Sequence, residues 1–307
     1  MVSPALTPLI VVCGPTAVGK TAASLALAEQ LGGEIVAADS RTIYRGMDIG
    51  TAKPTPEQRA RIPHHCLDLA DPDETVTLAI YRGMADDAIA GIRRRGRVPL
   101  LVGGTGLYVR AVVDGFAIPA VAPDPALRAR LEEEESQTPG TLHTRLQRVD
   151  PIAAGRIHPR NVRRLIRALE VFEHTGRAIS ALQRKSDSVG TAVQVGLTVD
   201  RDALYRRIDA RVDEQLRGGL VEEVNGLLAR GYGPDLPAMQ GLGYKEIVAF
   251  VQGRVDLPEA TRQLRRNTRR FAKRQYTWFR KDSRVLWLDV DDLPPDGVAA
   301  AITRVLE

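Results

Sequence analysis

Eight residues near the start of the chain form a pattern that binds phosphate groups. The segment Gly14-Pro15-Thr16-Ala17-Val18-Gly19-Lys20-Thr21 fits G-x-x-x-x-G-K-[ST] and stands between an apolar run and a helical pattern. The glycines let backbone N–H groups converge on phosphate oxygens, Lys20 adds a positive charge, and the Thr21 hydroxyl can ligate Mg²⁺. The pattern is typical of ATP-binding and other nucleotide-binding proteins, and it predicts a phosphate site with Thr21 as metal ligand.

A carboxylate follows the second apolar run. Ile35 to Ala38 leads directly to Asp39, whereas Val98 to Val102 ends in Gly103-Gly104-Thr105-Gly106. Proteins that hydrolyse or transfer the γ-phosphate of ATP or GTP commonly hold Mg²⁺ with an Asp at the end of a second strand. Asp39 is therefore the candidate catalytic carboxylate, as a metal ligand or as a base. The alternative for an isolated Asp is a turn or helix-capping residue.

The positive charge of the chain is concentrated in one segment. The net charge is +5, yet nine Lys or Arg and no acid lie between Ala260 and Lys281, so the remainder is slightly acidic. Seven of the nine have the spacing of one helical face: Arg262, Arg265, Arg266, Arg269, Arg270, Lys273 and Arg274. Like charges repel unless an anion meets them, so this face predicts a polyanionic partner rather than an ordinary solvated surface.

Alternating strands and helices must position these residues. Strand patterns recur at Leu9–Cys13, 34–38, 98–102, 193–199 and 285–288, with helical patterns between the early ones. From about Asp114 to Gly190 the alternation stops, and proline-rich sequence leads into four helical patterns. We expect an α/β fold with a mainly parallel sheet in a P-loop NTPase-like core, residues 1–114 and 191–307, and an inserted helical domain, residues 115–190.

Composition excludes several classes of protein. Hydrophobic residues make up 44% of 307 residues, which permits a full core, and no apolar run is long enough to cross a bilayer. The apolar start from Pro4 to Cys13 lacks the basic region of a signal peptide and is interpreted as a first strand. Two cysteines are too few for a disulfide framework, so a cytoplasmic location is expected. The adjacent His64, His65 and Cys66 predict a segment leading into a strand rather than a metal site.

Four motifs in the same order resemble the tRNA dimethylallyltransferases, also called tRNA isopentenyltransferases. They are the phosphate loop, Asp39-Ser40-Arg41 with the following segment Tyr44 to Pro54, Gly103 to Tyr108, and Arg269 to Gln275. The resemblance covers nearly the whole chain and is to the compact, bacterial-type form. It implies transfer of a dimethylallyl group from dimethylallyl diphosphate to N6 of the adenine on the 3′ side of the tRNA anticodon.

The resemblance also implies roles for individual residues. The phosphate loop would hold the donor's diphosphate with Mg²⁺, Asp39 would take the N6 proton, and Thr105 would stand at the reacting centre. Arg211 matches an arginine that contacts the diphosphate, although the chain equally allows a solvated arginine paired with Asp213 or Gln215. Thr105 could in addition cap the helix that begins at Gly106.

The resemblance also implies contacts with the tRNA anticodon arm. The inserted helices carry a second basic set at helical spacing, although Glu170 and Glu173 follow on the same helix. The matched residues, in a protein expected to be monomeric, are Asp39, Ser40, Arg41, Thr42, Thr105, Arg128, Arg163, Arg164, Arg167, Gln240, Gly243, Tyr244, Arg269, Arg270, Lys273 and Arg274.

Three other functions are open to a chain with these motifs. A P-loop small-molecule kinase would use the phosphate loop but leaves the basic helix unexplained. An adenylate isopentenyltransferase acting on free AMP would share the chemistry but needs no helical insertion. A non-catalytic RNA-binding module would not require the phosphate loop.

Overall fold

A computed structural model describes residues 8–115, 119, 121–182 and 190–306. These residues form two compact units. The first contains residues 8–76, 80–113 and 190–306, and the second contains residues 77–79 and 114–182. Pro4 to Thr7, at the start of the predicted first apolar run, lie outside the described residues.

The first unit is built on a six-stranded sheet in the order β3-β2-β4-β1-β5-β6, and all neighbouring strands are parallel. The predicted α/β fold with a parallel sheet is confirmed. The strands are β1 (Leu9–Cys13), β2 (Gly33–Ala37), β3 (His64–His65), β4 (Val98–Gly103), β5 (Ala192–Thr198) and β6 (Val285–Asp289). β1 lies at the centre and every one of its residues is buried, which explains its uninterrupted apolar sequence.

Among the described residues, nine helices lie wholly or mainly in this unit: α1 (Lys20–Leu31), α2 (Pro56–Arg61), α3 (Leu78–Arg94), α4 (Gly106–Val113), α10 (Arg201–Arg217), α11 (Leu220–Ala229), α12 (Tyr244–Val251), α13 (Leu257–Phe279) and the C-terminal α14 (Pro295–Leu306). α1 packs against α14 and β4, so the main core lies between these helices and the central strands. The two helices that matter most for the site are α10, which follows β5, and the long α13, which precedes β6.

The second unit is helical. Its apolar core contains Leu131, Leu142, Leu146 and Leu165, which are all fully buried. The helices are α5 (Pro125–Gln137), α6 (Thr141–Val149), α7 (Pro151–Arg156), α8 (Val162–Thr175) and α9 (Ile179–Leu182). Asp124 and Asp150 cap α5 and α7 by accepting backbone N–H bonds, and a proline follows each of them at the first helical position.

The structure also corrects details of the sequence-based prediction. The short helices α2 and α9 were not predicted. His64 and His65 form β3, an edge strand, and the His65 ring contacts Glu34 with 2.7 Å between Nε2 and Oε2. No helix among the described residues is long and apolar enough to span a membrane.

Candidate active site

Three neighbouring strands end at the same edge of the sheet and deliver the predicted residues to one place. The phosphate loop follows β1, Asp39 follows β2 by two residues, and Thr105 follows β4 by two residues. These strands are adjacent in the order β2-β4-β1. Gly103 makes the close approach possible, because a Cβ there would lie 2.1 Å from the carbonyl oxygen of Ala38. Ligands of open parallel sheets bind at this carboxyl edge.

The phosphate loop has the backbone shape of an anion site. Gly14 and Gly19 have φ of +140° and +105°, and a Cβ on Gly14 would lie 2.8 Å from the Leu197 carbonyl oxygen. Both positions therefore need glycine. Gly19 caps α1 without any side-chain hydrogen bond, so the first N–H groups of the helix keep their donor capacity for a ligand.

Two cations border this loop. Lys20 Nζ donates to the carbonyls of Gly14 and Pro15 at 3.0 and 2.7 Å, and Arg211 Nη1 donates to Thr16 Oγ1 at 3.3 Å. Burial and the Arg211 charge lower the pKa of Lys20 to about 8, against an opposing effect of Asp39. Burial likewise lowers the pKa of Arg211. Two cations that disfavour each other's charge form a site that a bound anion would stabilise.

Arg211 does not pair as the alternative interpretation expected. Asp213 pairs with Arg265, and Gln215 Nε2 donates to the carbonyls of Ile49 and Gly50 at 2.8 and 3.0 Å. The contact between Arg211 and Thr16 instead brings the arginine to the phosphate loop.

Gln275 joins the phosphate loop to the glycine turn after β4. Its Oε1 accepts from the Thr16 N–H at 2.8 Å, and its Nε2 donates to the Gly104 carbonyl at 2.9 Å. The side chain is 6% exposed, and a Cβ on Gly104 would collide with it. The sequence analysis included Gln275 at the end of the Arg269 to Gln275 motif but gave its side chain no role. The available signal was a glutamine on the same helical face as Leu264.

Asp39 is held by a hydrogen bond within its own turn, and Ser40 is hydrogen-bonded to Thr105. Asp39 Oδ1 accepts from the Arg41 N–H at 2.8 Å, which leaves Oδ2 for a ligand, and Thr105 Oγ1 accepts from the Ser40 N–H at 3.0 Å. The Thr105 hydroxyl is thus held by Ser40, while the Thr105 carbonyl accepts from the N–H groups of Tyr108 and Val109 at the start of α4.

The residues at the loop fit a magnesium ion bound together with diphosphate. Thr21 is exposed in the first turn of α1 and offers a hard hydroxyl oxygen. Among the described residues no group of three His, Cys, Asp or Glu side chains could hold a metal alone. This donor set suits Mg²⁺, which commonly takes one or two protein oxygens and completes its shell with water and substrate phosphate.

Hydrogen bonds with Glu223 and with Lys53 fix the segment Asp48 to Lys53. The Glu223 carboxylate accepts from the N–H groups of Asp48, Ile49 and Gly50 at 2.8, 2.8 and 3.1 Å. The buried Lys53 ammonium donates to the carboxylates of Asp48 and Asp68. Sequence reasoning did not single out Glu223, because its three partners lie more than 170 residues away.

Two of the predicted tRNA contacts are buried in the protein. Tyr244 is fully buried and donates to Glu223 Oε1 at 2.6 Å, so its ring supports the backbone at Gly50 instead of facing RNA. Thr42 is 7% exposed and is also enclosed. Three other predicted contacts are described as follows. Gln240 is exposed, and Gly243 stands before α12 with φ of +89°. Arg41 Nη1 donates to the Pro237 carbonyl at 2.7 Å.

The basic face of α13 is less uniform than its sequence indicates. Arg265 and Arg269 form ion pairs with Asp213 and Asp209 of α10, and Arg262 pairs with Glu259 at 2.7 Å. The inference that seven unneutralised charges lie on this helix was wrong, because the neutralising acids come mostly from another helix. Four of the seven are exposed and have no ion-pair partner among the described residues: Arg266, Arg270, Lys273 and Arg274.

In the helical unit, a buried carboxylate accounts for two of the predicted tRNA-binding arginines. Glu170 is fully buried and accepts from Arg128 at 2.7 and 2.8 Å and from Arg167 at 2.7 Å. Burial alone would raise the pKa of Glu170, but the hydrogen bonds from Arg128, the Asp124 N–H and Arg167 lower it to about 2. Arg163 and Arg164 are exposed and keep their charges for a partner.

Comparison with protein families and known proteins gives consistent results. The family model described as IPP transferase matches residues 42–282, and a model described as isopentenyl transferase matches residues 7–67. A tRNA dimethylallyltransferase of Pelotomaculum thermopropionicum is 47% identical over 98% of this chain and 96% of its own length. One of a Roseiflexus species is 51% identical over 97% of this chain and 98% of its own length.

Solved structures extend the similarity to three dimensions. The full-length tRNA isopentenylpyrophosphate transferase of Bacillus halodurans is 43% identical, with a TM-score of 0.73 over 98% of this chain and 95% of that one. A eukaryotic dimethylallyltransferase described as acting on tRNA is 27% identical, with a TM-score of 0.81 over 97% of this chain and 78% of that one.

Proposed function

The chain belongs to the tRNA dimethylallyltransferase family, and from this membership we propose how its residues transfer a prenyl group to tRNA. The acceptor is N6 of the adenine on the 3′ side of the anticodon, and the donor is dimethylallyl diphosphate. One observation carries the proposal. Asp39 follows β2 and Thr105 follows β4, at the sheet edge where β1 leads into the anion-binding loop, and β4, which lies next to β1, ends in glycines rather than a carboxylate.

The phosphate loop residues bind the donor. The N–H groups at the start of α1, Lys20 and Arg211 neutralise the diphosphate as its bond to the allylic C1 breaks. Thr21 would hold Mg²⁺, which would supply further positive charge for the same leaving group. Gln275 keeps Thr16 and Gly104 in place around the donor.

Asp39 accepts the proton that the acceptor loses. The adenine N6 forms a bond to C1 while diphosphate departs, and the N6 proton moves to the free Oδ2 of Asp39. The N–H of Arg41 holds Oδ1 and so orients the carboxylate. Thr105 and Ser40 line the same edge of the sheet and position the acceptor base.

The tRNA is held by exposed residues of both units. In the first unit these are Ser40, Arg41, Gln240 and the unpaired arginines and lysine of α13. In the second unit they are Arg163 and Arg164. Arg128 and Arg167 contribute to the shape of the helical unit through Glu170 rather than through free charge. A monomeric protein and a cytoplasmic location stay predictions.

A labelling experiment tests the function. The protein is mixed with Mg²⁺, labelled dimethylallyl diphosphate and either unmodified tRNA or AMP. We expect label on tRNA alone, since the exposed cations suit a polyanion. Label on AMP but not on tRNA would indicate a free-nucleotide prenyltransferase, and label on neither, combined with phosphoryl transfer from ATP, would indicate a kinase.

A substitution tests the base. Asp39→Asn keeps the acceptor for the Arg41 N–H but cannot take a proton, so turnover should fall by about 10²- to 10⁴-fold with unchanged tRNA affinity. Asp73→Asn removes an exposed carboxylate from the same unit and is the matched control. Equal turnover of the two variants would remove Asp39 from this role.

A further inference from the structure

A cleft between α10 and α13 is lined almost entirely by cationic side chains. The cavity has a volume of about 370 Å³, and six Arg or Lys side chains line it together with Tyr205 and Asp209. All six cations belong to the basic face of α13 that the sequence predicts for a polyanionic partner. Three of the six are paired with carboxylates, Arg262 with Glu259, Arg265 with Asp213 and Arg269 with Asp209, and the other three leave the concavity with a net positive charge that favours a bound anion.

The cations of the cleft are incompletely satisfied. Arg265 and Arg269 each pair through a terminal nitrogen with an aspartate of α10, but the Nε of both arginines is buried without a hydrogen-bond partner among the described residues. Asp209 Oδ1 is buried and unpartnered in the same way. A guanidinium binds best through two parallel N–H groups, so each arginine retains capacity for a second oxygen ligand. Buried polar atoms without partners are uncommon in folded proteins, and the two Nε–H donors keep hydrogen-bonding capacity for an oxygen ligand in the cleft.

The remaining wall of the cleft suits a nucleic acid. Arg266 and Arg270 are exposed and carry no ion-pair partner among the described residues. The Arg269 guanidinium lies 5.0 Å from the centre of the Tyr205 ring, and Arg201 lies 5.3 Å from it. An aromatic ring among arginines offers a stacking surface beside a phosphate site.

We propose that this cleft binds a backbone phosphate of tRNA at a nucleotide other than the one that reacts. The inference rests on the proposed function, since tRNA supplies the phosphate. Arg266 precedes Gln275, which contacts the phosphate loop, by nine residues on α13. At 1.5 Å per residue, roughly 14 Å of helix separates the Arg266 end of the cleft from the residue that contacts the phosphate loop. In this arrangement Asp209 and Asp213 are internal counter-ions that hold Arg269 and Arg265 until phosphate replaces them.

A purely structural role is the competing explanation. The two ion pairs could serve only to join α10 to α13. Under that explanation, removing an aspartate lowers stability and leaves the affinity for tRNA unchanged. Under our proposal, removing it releases an arginine and raises the affinity for tRNA, because a phosphate no longer has to displace a carboxylate.

Binding of unmodified tRNA, without donor, to the full chain and its variants tests the proposal across a series of salt concentrations. Arg266→Ala should weaken binding about tenfold at low salt and reduce the slope of log affinity against log salt by about one. Asp209→Asn should tighten binding severalfold and make the slope steeper. Arg94→Ala, which removes an exposed arginine of α3, is the control for loss of a positive charge.

The outcomes separate the explanations. If Arg266→Ala binds tRNA like Arg94→Ala, or if Asp209→Asn is less stable but binds no more tightly, the proposal is wrong. Asp213→Asn, which acts on Arg265, repeats the test should Asp209→Asn fail to fold. Prenyl transfer by the unsubstituted protein is measured in parallel. Failure of transfer would reject the proposed function, whereas normal transfer with unchanged affinity of the variants would reject only the phosphate site.

Discussion

Replacement of Gln275 should destabilise the contact between the phosphate loop and the glycine turn that follows β4. In Gln275→Ala, the Thr16 N–H and the Gly104 carbonyl both lose their partner in a region where the glutamine is only 6% exposed. A buried donor or acceptor left without a partner costs about 1–3 kcal/mol. The two together should lower the free energy of unfolding by about 2–5 kcal/mol, because alanine's better helix propensity returns only a few tenths.

Urea unfolding followed by tryptophan fluorescence measures this loss. Both tryptophans, Trp278 and Trp287, lie in the first unit, on α13 and β6, so the signal reports on the unit that contains Gln275. Gln263→Ala is the matched control, since Gln263 lies on the same helix and its side chain donates only to Glu259, at 2.8 Å. Its replacement should cost less than about 1 kcal/mol.

A charged replacement separates stability from donor binding. Gln275→Glu keeps an acceptor for the Thr16 N–H but sets a carboxylate oxygen against the Gly104 carbonyl and adds a negative charge behind the phosphate loop. We expect weaker binding of inorganic diphosphate in calorimetry than Gln275→Ala shows. The reasoning is refuted if Gln275→Ala lies within 1 kcal/mol of Gln263→Ala and both Gln275 variants bind diphosphate normally.

Three further predictions follow from individual contacts. Because the pKa of Lys20 is lowered to about 8, the unliganded site loses a positive charge as pH rises through that value, and donor affinity should fall. Calorimetry at several pH values measures this loss. The affinity of Lys20→Arg, which stays charged, should depend less on pH. Glu170→Gln should destabilise the helical unit by about 3 kcal/mol, because Arg128 and Arg167 lose a buried charged partner, and limited proteolysis should then cut that unit first. The Glu170 pKa is lowered to about 2, so its stabilisation is present above the unfolded pKa and is lost as pH falls towards 2, a dependence that the Gln variant should lack. Tyr244→Phe removes the hydrogen bond to Glu223 and should lower the free energy of unfolding by about 1 kcal/mol. Its tRNA affinity in a filter-binding assay should be unchanged. A large loss of affinity would indicate that Tyr244 contacts RNA after all.

Much of the catalytic edge could be predicted from the chain alone. The phosphate loop, the strand before it and the helix after it are local features, which the positions of glycines and the spacing of apolar residues predict. The same is true of Asp39 and Thr105, because parallel strands end at one edge of their sheet wherever they stand in the order. Neighbouring residues were sufficient for these predictions.

The partners of charged and polar side chains were decided only by the tertiary structure. Nothing near Arg265 or Arg269 in sequence is acidic, yet α10 brings an aspartate to each of them. Gln275 accepts a hydrogen bond from the N–H of Thr16, which lies 259 residues away in sequence. Local patterns show which face of a helix is polar, but they do not show which other element packs against that face. Whether an arginine is free to meet RNA or is already neutralised is therefore a property of the packed helices.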